Sequence, residues 1–279
     1  MRRLAICLLV GACEAEAPDG EVPVAADEPM VVLLRELAFE PIVDGVSGGF
    51  DLDGVTTVPG DGTGCGRPDL VSPDGAPGID NALGSLLPLI ASLGGEALQS
   101  LVQDAVLSGE LLLLVELDGL DEVAEGECTT GRILRGADEP FLGTDGAILP
   151  NQTFGVNEAF PSAELSCAAR QDDGSIRVDG VELRLPLQVF DETIDLTLVD
   201  GKMLLVPEGD VFTGMIGGGV SVAELAENIY GFDAIPEELE TGVVAAAELS
   251  ADLAPDEGGA CTQISVTLAI EAVPAFLVE

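Results

Sequence analysis

The chain has 279 residues, of which 51 are acidic and 10 are basic, and its formal net charge is −41. A field of this sign repels phosphate backbones, which excludes nucleic acid as a partner. Histidine is absent, which excludes serine–histidine–aspartate hydrolases and HExxH zinc enzymes because both need an imidazole.

The N-terminus has the pattern of a bacterial export signal. Two arginines precede an apolar run that is too short to span a bilayer. Val10-Gly11-Ala12-Cys13 is similar to a lipobox, in which the cysteine is acylated and becomes the mature N-terminus. We therefore predict a lipoprotein signal peptide at 1–12 and lipidation at its following cysteine, Cys13. Ordinary secretory cleavage after Ala17 is the alternative.

Residues 13–29 consist largely of Ala, Pro, Glu and Asp and include few bulky side chains. This composition is typical of a solvated, acidic tether between an anchor and a folded domain. We predict that the domain runs from 30 to 279. Its first element is a predicted strand in the apolar stretch Met30–Leu37.

The stretch from Asp51 to Asn81 contains six Asp, seven Gly and four Pro, a composition that opposes both helix and central strand. Calcium takes about six to eight hard oxygen ligands, and Asp51-Leu52-Asp53-Gly54 has the D-x-D-G form with which calcium loops begin. We predict a calcium site that draws its ligands from Asp51, Asp53, Asp61, Asp69, Asp74, Asp80 and Asn81. In the alternative interpretation, these side chains only cap turns in an acidic loop.

Four cysteines follow Cys13 in the chain. In an exported protein an even number of cysteines indicates disulfides, here two, and the sequence leaves three pairings open. Zinc binding is the alternative, but it would need closely spaced pairs, which this chain lacks. The predicted disulfide residues are Cys65, Cys128, Cys167 and Cys261.

Two amphipathic helices are predicted after the acidic loop, because apolar residues recur at helical spacing from Leu83 to Ile90 and from Leu98 to Ala105. The apolar run Glu110–Leu117 is typical of a strand covered on both faces. From Arg177 to Met215 the apolar residues alternate, which predicts an antiparallel meander. Within it, Asp200-Gly201 has the sequence of a hairpin turn.

The C-terminal part mixes helices and a strand. Ser221-Val222-Ala223-Glu224 has the form of a capping box and predicts a helix start, and 236–253 is predicted as a further helix. Alternating apolar residues from Ile264 to Ile270 predict a final strand. Taken together, these elements predict a single α+β domain, a mostly antiparallel sheet with several helices packed on it.

Three segments resemble a known group of proteins: Gly49–Gly54, Asp69–Asn81 and Ile264–Ala275. They look like segments of uncharacterised acidic envelope lipoproteins of the myxobacterial type, from predatory gliding bacteria. The resemblance implies a location in the bacterial cell envelope and no known activity.

We therefore expect a lipid-anchored envelope protein that is not an enzyme and has a binding or structural role. Its expected partners are the membrane, reached through the lipid, and an unidentified envelope or surface partner. One alternative is a carboxylate-only hydrolase of the glycosidase type, which would need two buried carboxyl groups across a cleft. The other is a carrier, which would need an apolar cavity of about 300 Å³ or more.

Overall fold

The computed structural model describes residues 29–60, 64–90, 96–120, 122–189, 192–230 and 237–278. The predicted signal peptide, Cys13 and Asp61 lie outside the described residues, as does the predicted tether except for its last residue. None of the described helices combines the length and the apolar character that crossing a bilayer requires.

Strands make up most of the described regular structure. In chain order they are β1 (Met30–Phe39), β2 (Leu70–Val71), β3 (Pro77–Ile79), β4 (Leu113–Leu117), β5 (Thr129–Arg135), β6 (Gln152–Phe154), β7 (Ala163–Arg170), β8 (Ile176–Val189), β9 (Glu192–Glu208), β10 (Val211–Ser221), β11 (Leu253–Pro255) and β12 (Cys261–Leu277). The helices are α1 (Leu87–Ile90), α2 (Glu96–Ser108), α3 (Val222–Tyr230) and α4 (Glu237–Ser250), with short 3-10 turns at Gly64–Gly66 and Ala82–Ser85.

Eight of the strands form a closed antiparallel barrel. Each pairs with the next in the order β1-β4-β5-β7-β8-β9-β10-β12, and β12 also pairs with β1. This last seam runs from Val32 opposite Pro274 to Phe39 opposite Leu268. Closure is favourable because it removes the two long free edges that an open sheet of the same strands would have. β6 and β11 add to β12 outside the circuit, and β2 and β3 form a separate ribbon.

The predicted α+β fold is therefore wrong: the strands close on themselves instead of forming a sheet with helices packed on it. Several elements do lie where local periodicity predicts them, including α3, α4 and the final strand. The helix predicted over Leu83–Ile90 is divided into a 3-10 turn and α1, with Pro88 in the first turn of α1. Local periodicity cannot predict the pairing between β1 and β12, because these strands are far apart in the sequence.

The predicted hairpin turn at Asp200-Gly201 is also wrong, because β9 continues through it. Asp200 instead has a positive φ of 51°, and the register between β8 and β9 shifts beside it. A second shift lies opposite, between Gly217 and Gly219 of β10. Such bulges bend strands sharply, and here they occur on three neighbouring strands of the barrel. Asp200 and Gly201 therefore help to curve the barrel wall and do not form a hairpin turn.

The barrel interior is closely packed. In β12, Ile264, Val266 and Leu268 line an apolar cavity of about 40 Å³ at one end of the barrel. Leu83 from the 3-10 turn and Leu225 from α3 complete its lining. The alternate β12 residues, Ser265 and Thr267, are buried and polar, and they face the opposite side of the strand.

Helix α2 completes the edge of β1 that extends beyond β4. The side-chain amide of Gln99 accepts a hydrogen bond from the Phe39 N–H (3.0 Å) and donates one to the Leu37 carbonyl (2.8 Å). Gln103 donates in the same way to the Arg35 carbonyl (3.0 Å). Two glutamine side chains thus satisfy backbone groups that a neighbouring strand would otherwise satisfy.

The structure brings the four predicted disulfide cysteines together as two pairs. Cys65 pairs with Cys261 across a Cα–Cα distance of 5.7 Å, which ties the acidic loop to the start of β12. Cys128 pairs with Cys167 across 4.9 Å, which joins the neighbouring barrel strands β5 and β7. The sequence leaves three pairings open, and the fold determines this one because it places these residues side by side.

Candidate metal centre

The acidic loop lies against the outer face of β10 and β12. Phe50 packs where β10 has no side chain: a Cβ atom at Gly217 would lie 2.8 Å from the Phe50 ring. At the other end of the loop, the Asn81 side chain donates to the Glu40 carbonyl (2.9 Å) and to Ser47 Oγ (2.8 Å). The same side chain accepts from the Thr267 N–H (3.2 Å). These contacts fix both ends of the loop on the barrel wall.

Three aspartates of the loop converge on one point. Asp51, Asp53 and Asp80 each offer a carboxylate oxygen, and these oxygens lie within 4.8 Å of one another. The turn positions two of them, because Asp51 accepts from the Gly54 N–H (2.6 Å) and Asp53 from the Val55 N–H (2.8 Å). Three carboxylates this close can hold a metal ion.

Asp80 is the buried member of the cluster, with 4% of its surface exposed. Burial raises its pKa to about 7, and repulsion from Asp252, Asp53 and Asp69 acts in the same direction. One hydrogen bond, from the Leu52 N–H (2.7 Å), opposes this increase in pKa. The sole lysine, Lys202, donates to the Asp51 backbone carbonyl. A bound cation would favour the ionised form of Asp80.

Of the other predicted ligands, the three that the structure describes, Asp69, Asp74 and Asn81, do not join this cluster. Asp69 accepts from the Thr57 N–H (2.6 Å) beside it. Asp74 is exposed, and a hydrogen bond from Ser72 lowers its pKa. The Asn81 amide is engaged with Glu40 and Ser47, which follow β1, and with Thr267 of β12. The alternative interpretation, in which such residues hold turns together, is thus the better description of these three.

Behind Asp80 lies a cavity of about 150 Å³. Its polar lining comes from the loop, the following 3-10 turn, the end of α4 and the segment that joins α4 to β11: Arg67, Asp69, Asp80, Asn81, Ser85, Ser250 and Asp252. The disulfide from Cys65 to Cys261 lies next to Arg67 in sequence and attaches this side of the loop to β12. The cavity therefore depends on segments far apart in the chain.

Asp252 is the residue of this region that sequence reasoning missed. It is 8% exposed, and both of its carboxylate oxygens accept hydrogen bonds from Ser265, one of them from the backbone N–H (2.8 Å). Burial raises its pKa to about 6. The only sequence signal was a carboxyl group flanked by the apolar residues Ala251 and Leu253, both of which are buried. Nothing local to it indicates proximity to Asp80.

In comparisons with known proteins, no protein-family model, curated protein or solved structure matches the chain. Any function proposed for the chain therefore rests on its own residues.

Proposed function

We propose that this chain is a lipid-anchored protein of a bacterial cell envelope, without catalytic activity, whose acidic loop binds calcium and whose role is binding or structural. The observation that carries the proposal is the convergence of Asp51, Asp53 and Asp80 within 4.8 Å. In an acidic chain such groups repel one another, and a divalent cation would offset that repulsion.

The ligand chemistry favours calcium over other common metals. The cluster offers only carboxylate oxygens, whereas zinc prefers imidazole or thiolate ligands. Two of the three aspartates are not fully buried, so water and backbone carbonyls can complete a large, irregular coordination shell. Calcium accepts such a shell, while magnesium requires near-ideal octahedral geometry.

Neither the cavity beside Asp80 nor the apolar cavity at the barrel end has the volume that the two alternative functions require. Asp80 and Asp252 are two buried carboxyl groups that line one cavity, as a carboxylate-only hydrolase would require. That cavity measures about 150 Å³, however, and typical ligand pockets start at about 300 Å³. The apolar cavity at the barrel end measures about 40 Å³, which is too small for a carrier's cargo.

An envelope location fits the cysteine chemistry, because paired cysteines persist in oxidising compartments. The lipid anchor rests on the lipobox-like sequence before Cys13. In a bacterial host that processes lipoproteins, the full chain should partition into the detergent phase of a Triton X-114 extract, and Cys13→Ser should move it to the aqueous phase. Identical partitioning of both forms would rule out the anchor.

Calcium binding is tested by isothermal titration calorimetry of the wild type, Asp53→Asn and Asp74→Asn at constant ionic strength. Asp53→Asn should weaken calcium binding by about tenfold or more, since it removes one of three converging carboxylates. Asp74→Asn removes the same charge from the same loop, outside the cluster, and should change the affinity by less than about twofold.

Equal effects of the two variants would mean that calcium only screens the acidic surface. No saturable heat from the wild type would contradict the proposal directly. The control is informative because Asp74 is exposed, so its replacement leaves the packing of the loop unchanged.

A further inference from the structure

We propose that the cavity behind Asp80 binds a small primary ammonium compound, whose ammonium group lies between Asp80 and Asp252 and whose carbon chain packs on Ile42, Leu70 and Ile79. The site is distinct from the calcium cluster, although Asp80 borders both. It does not depend on calcium being bound.

In the described part of the chain, two buried carboxyl groups line this cavity without forming an ion pair. Asp80 is 4% and Asp252 is 8% exposed, and neither forms an ion pair with any basic side chain in the part of the chain that the structure describes. Within the same residues, one oxygen of Asp80 accepts from Leu52 and its other oxygen accepts no hydrogen bond. Buried carboxylates are costly unless a cation compensates them.

The size and lining of the cavity favour an organic cation over a second metal ion. Its volume of about 150 Å³ corresponds to about five water-sized groups, which exceeds the needs of a bare ion. Ile42, Leu70 and Ile79 form part of the wall and offer no side-chain ligand to a metal, but they can contact methylene groups.

The polar groups also match an ammonium group. Such a group donates three hydrogen bonds, and carboxylates of Asp80 and Asp252 and the hydroxyl of Ser250 are available at the cavity lining. Arg67 and Asp69 also line the cavity, and their opposite charges offset each other in part. A monovalent cation with an apolar chain is therefore the best fit.

The test is calorimetric titration of the full chain with n-propylammonium chloride in EDTA at constant ionic strength, with tetramethylammonium chloride as the comparison. Tetramethylammonium carries the same charge but has no N–H donor, so it should bind at least about tenfold more weakly. Equal affinities for the two cations would overturn the proposal.

Asp252→Asn should weaken propylammonium binding by about tenfold or more, whereas Glu257→Gln, which removes an exposed charge five residues away, should have less than about a twofold effect. Equal effects of these two variants would also overturn the proposal. Ser250→Leu fills the cavity without changing charge and should abolish binding while circular dichroism remains native. Retained binding by a natively folded Ser250→Leu would contradict the assigned location.

The two proposals fail separately. Asp53→Asn should reduce calcium binding and leave propylammonium binding intact, since Asp53 does not line the cavity. Asp252→Asn should reduce propylammonium binding and leave calcium binding intact, since Asp252 is not part of the calcium cluster. Calcium itself should weaken propylammonium binding, because both cations lie beside Asp80.

Discussion

Asp80→Asn should make the protein more stable than the wild type at pH 8 without calcium, and it should also remove stabilisation by calcium. The gain follows from burial, which raises the pKa of Asp80 to about 7, against about 4 in the unfolded chain. Ionising this carboxyl group in the folded state therefore costs on the order of 4 kcal/mol. Asparagine avoids that cost and can still accept the hydrogen bond from Leu52.

The pH dependence has a defined direction. Because the folded protein holds the Asp80 proton more tightly than the unfolded chain does, the corresponding stability is complete below about pH 4 and is lost as the pH rises through about 7. Asp252, with a pKa of about 6, acts in the same direction. In calcium-free buffer the wild type should thus be less stable at pH 8 than at pH 5. Calcium, which binds the ionised form, should reverse this loss.

Urea unfolding of the wild type and Asp80→Asn at pH 4, 6 and 8, with EDTA or with calcium, measures these effects. The two proteins should be similar at pH 4 and diverge progressively between about pH 4 and pH 7. Asp74→Asn is the control, because the pKa of Asp74 is lowered instead of raised and its removal should give no gain at pH 8. An Asp80→Asn variant that is no more stable than the wild type at pH 8 in EDTA would contradict the prediction.

Replacing Cys65 and Cys261 together by serine should cost about 5 kcal/mol of stability and should also weaken calcium binding. The pair closes a loop with a sequence separation of 196 residues, and the chain-entropy model assigns larger effects to longer loops. The same pair attaches the loop beside the Asp80 cavity to the start of β12. Its removal should therefore loosen the loop that carries the metal ligands.

The second cysteine pair is a matched control. Cys128 and Cys167 have a sequence separation of 39 residues, for which the same model gives about 4 kcal/mol, but they join two barrel strands away from the acidic loop. Replacing them should lower the melting temperature to a comparable extent without changing calcium affinity. A loss of calcium affinity in both double variants would show that general destabilisation, and not the loop attachment, is responsible. Calorimetric titration with calcium, at a temperature where all variants remain folded, separates the effect of loop attachment from that of general destabilisation.

The apolar cavity at the barrel end and the polar cavity beside Asp80 differ in their surroundings. The barrel interior is occupied by its own side chains, including Ile264, Val266 and Leu268, so it serves as a rigid support. The polar chemistry lies on the outer wall, where a loop rich in turn residues is held by Asn81 and a disulfide. Rigid supports with functional loops are a common arrangement, because a loop can position polar groups that a regular strand would place singly.

The candidate site could be anticipated only in part. The D-x-D-G pattern located Asp51 and Asp53, since neighbouring residues in a tight turn are necessarily close. It did not distinguish Asp80, which joins the cluster, from Asp69 and Asp74, which do not. That choice depends on how the loop folds back over β12. Asp252 was missed for the same reason, because it approaches from another segment altogether.

The sequence by itself determined the properties that are local or additive: the charge of −41, the absence of imidazole chemistry, the even set of cysteines beyond Cys13, and the period-two alternation of strands such as Ile264–Ile270. Tertiary structure decided the rest: closure of the barrel through β1 and β12, the cysteine pairing, the curvature at Asp200 and the meeting of Asp80 with Asp252. The physical reason is that local periodicity depends on a few neighbouring residues, whereas these contacts depend on the packing of the whole chain.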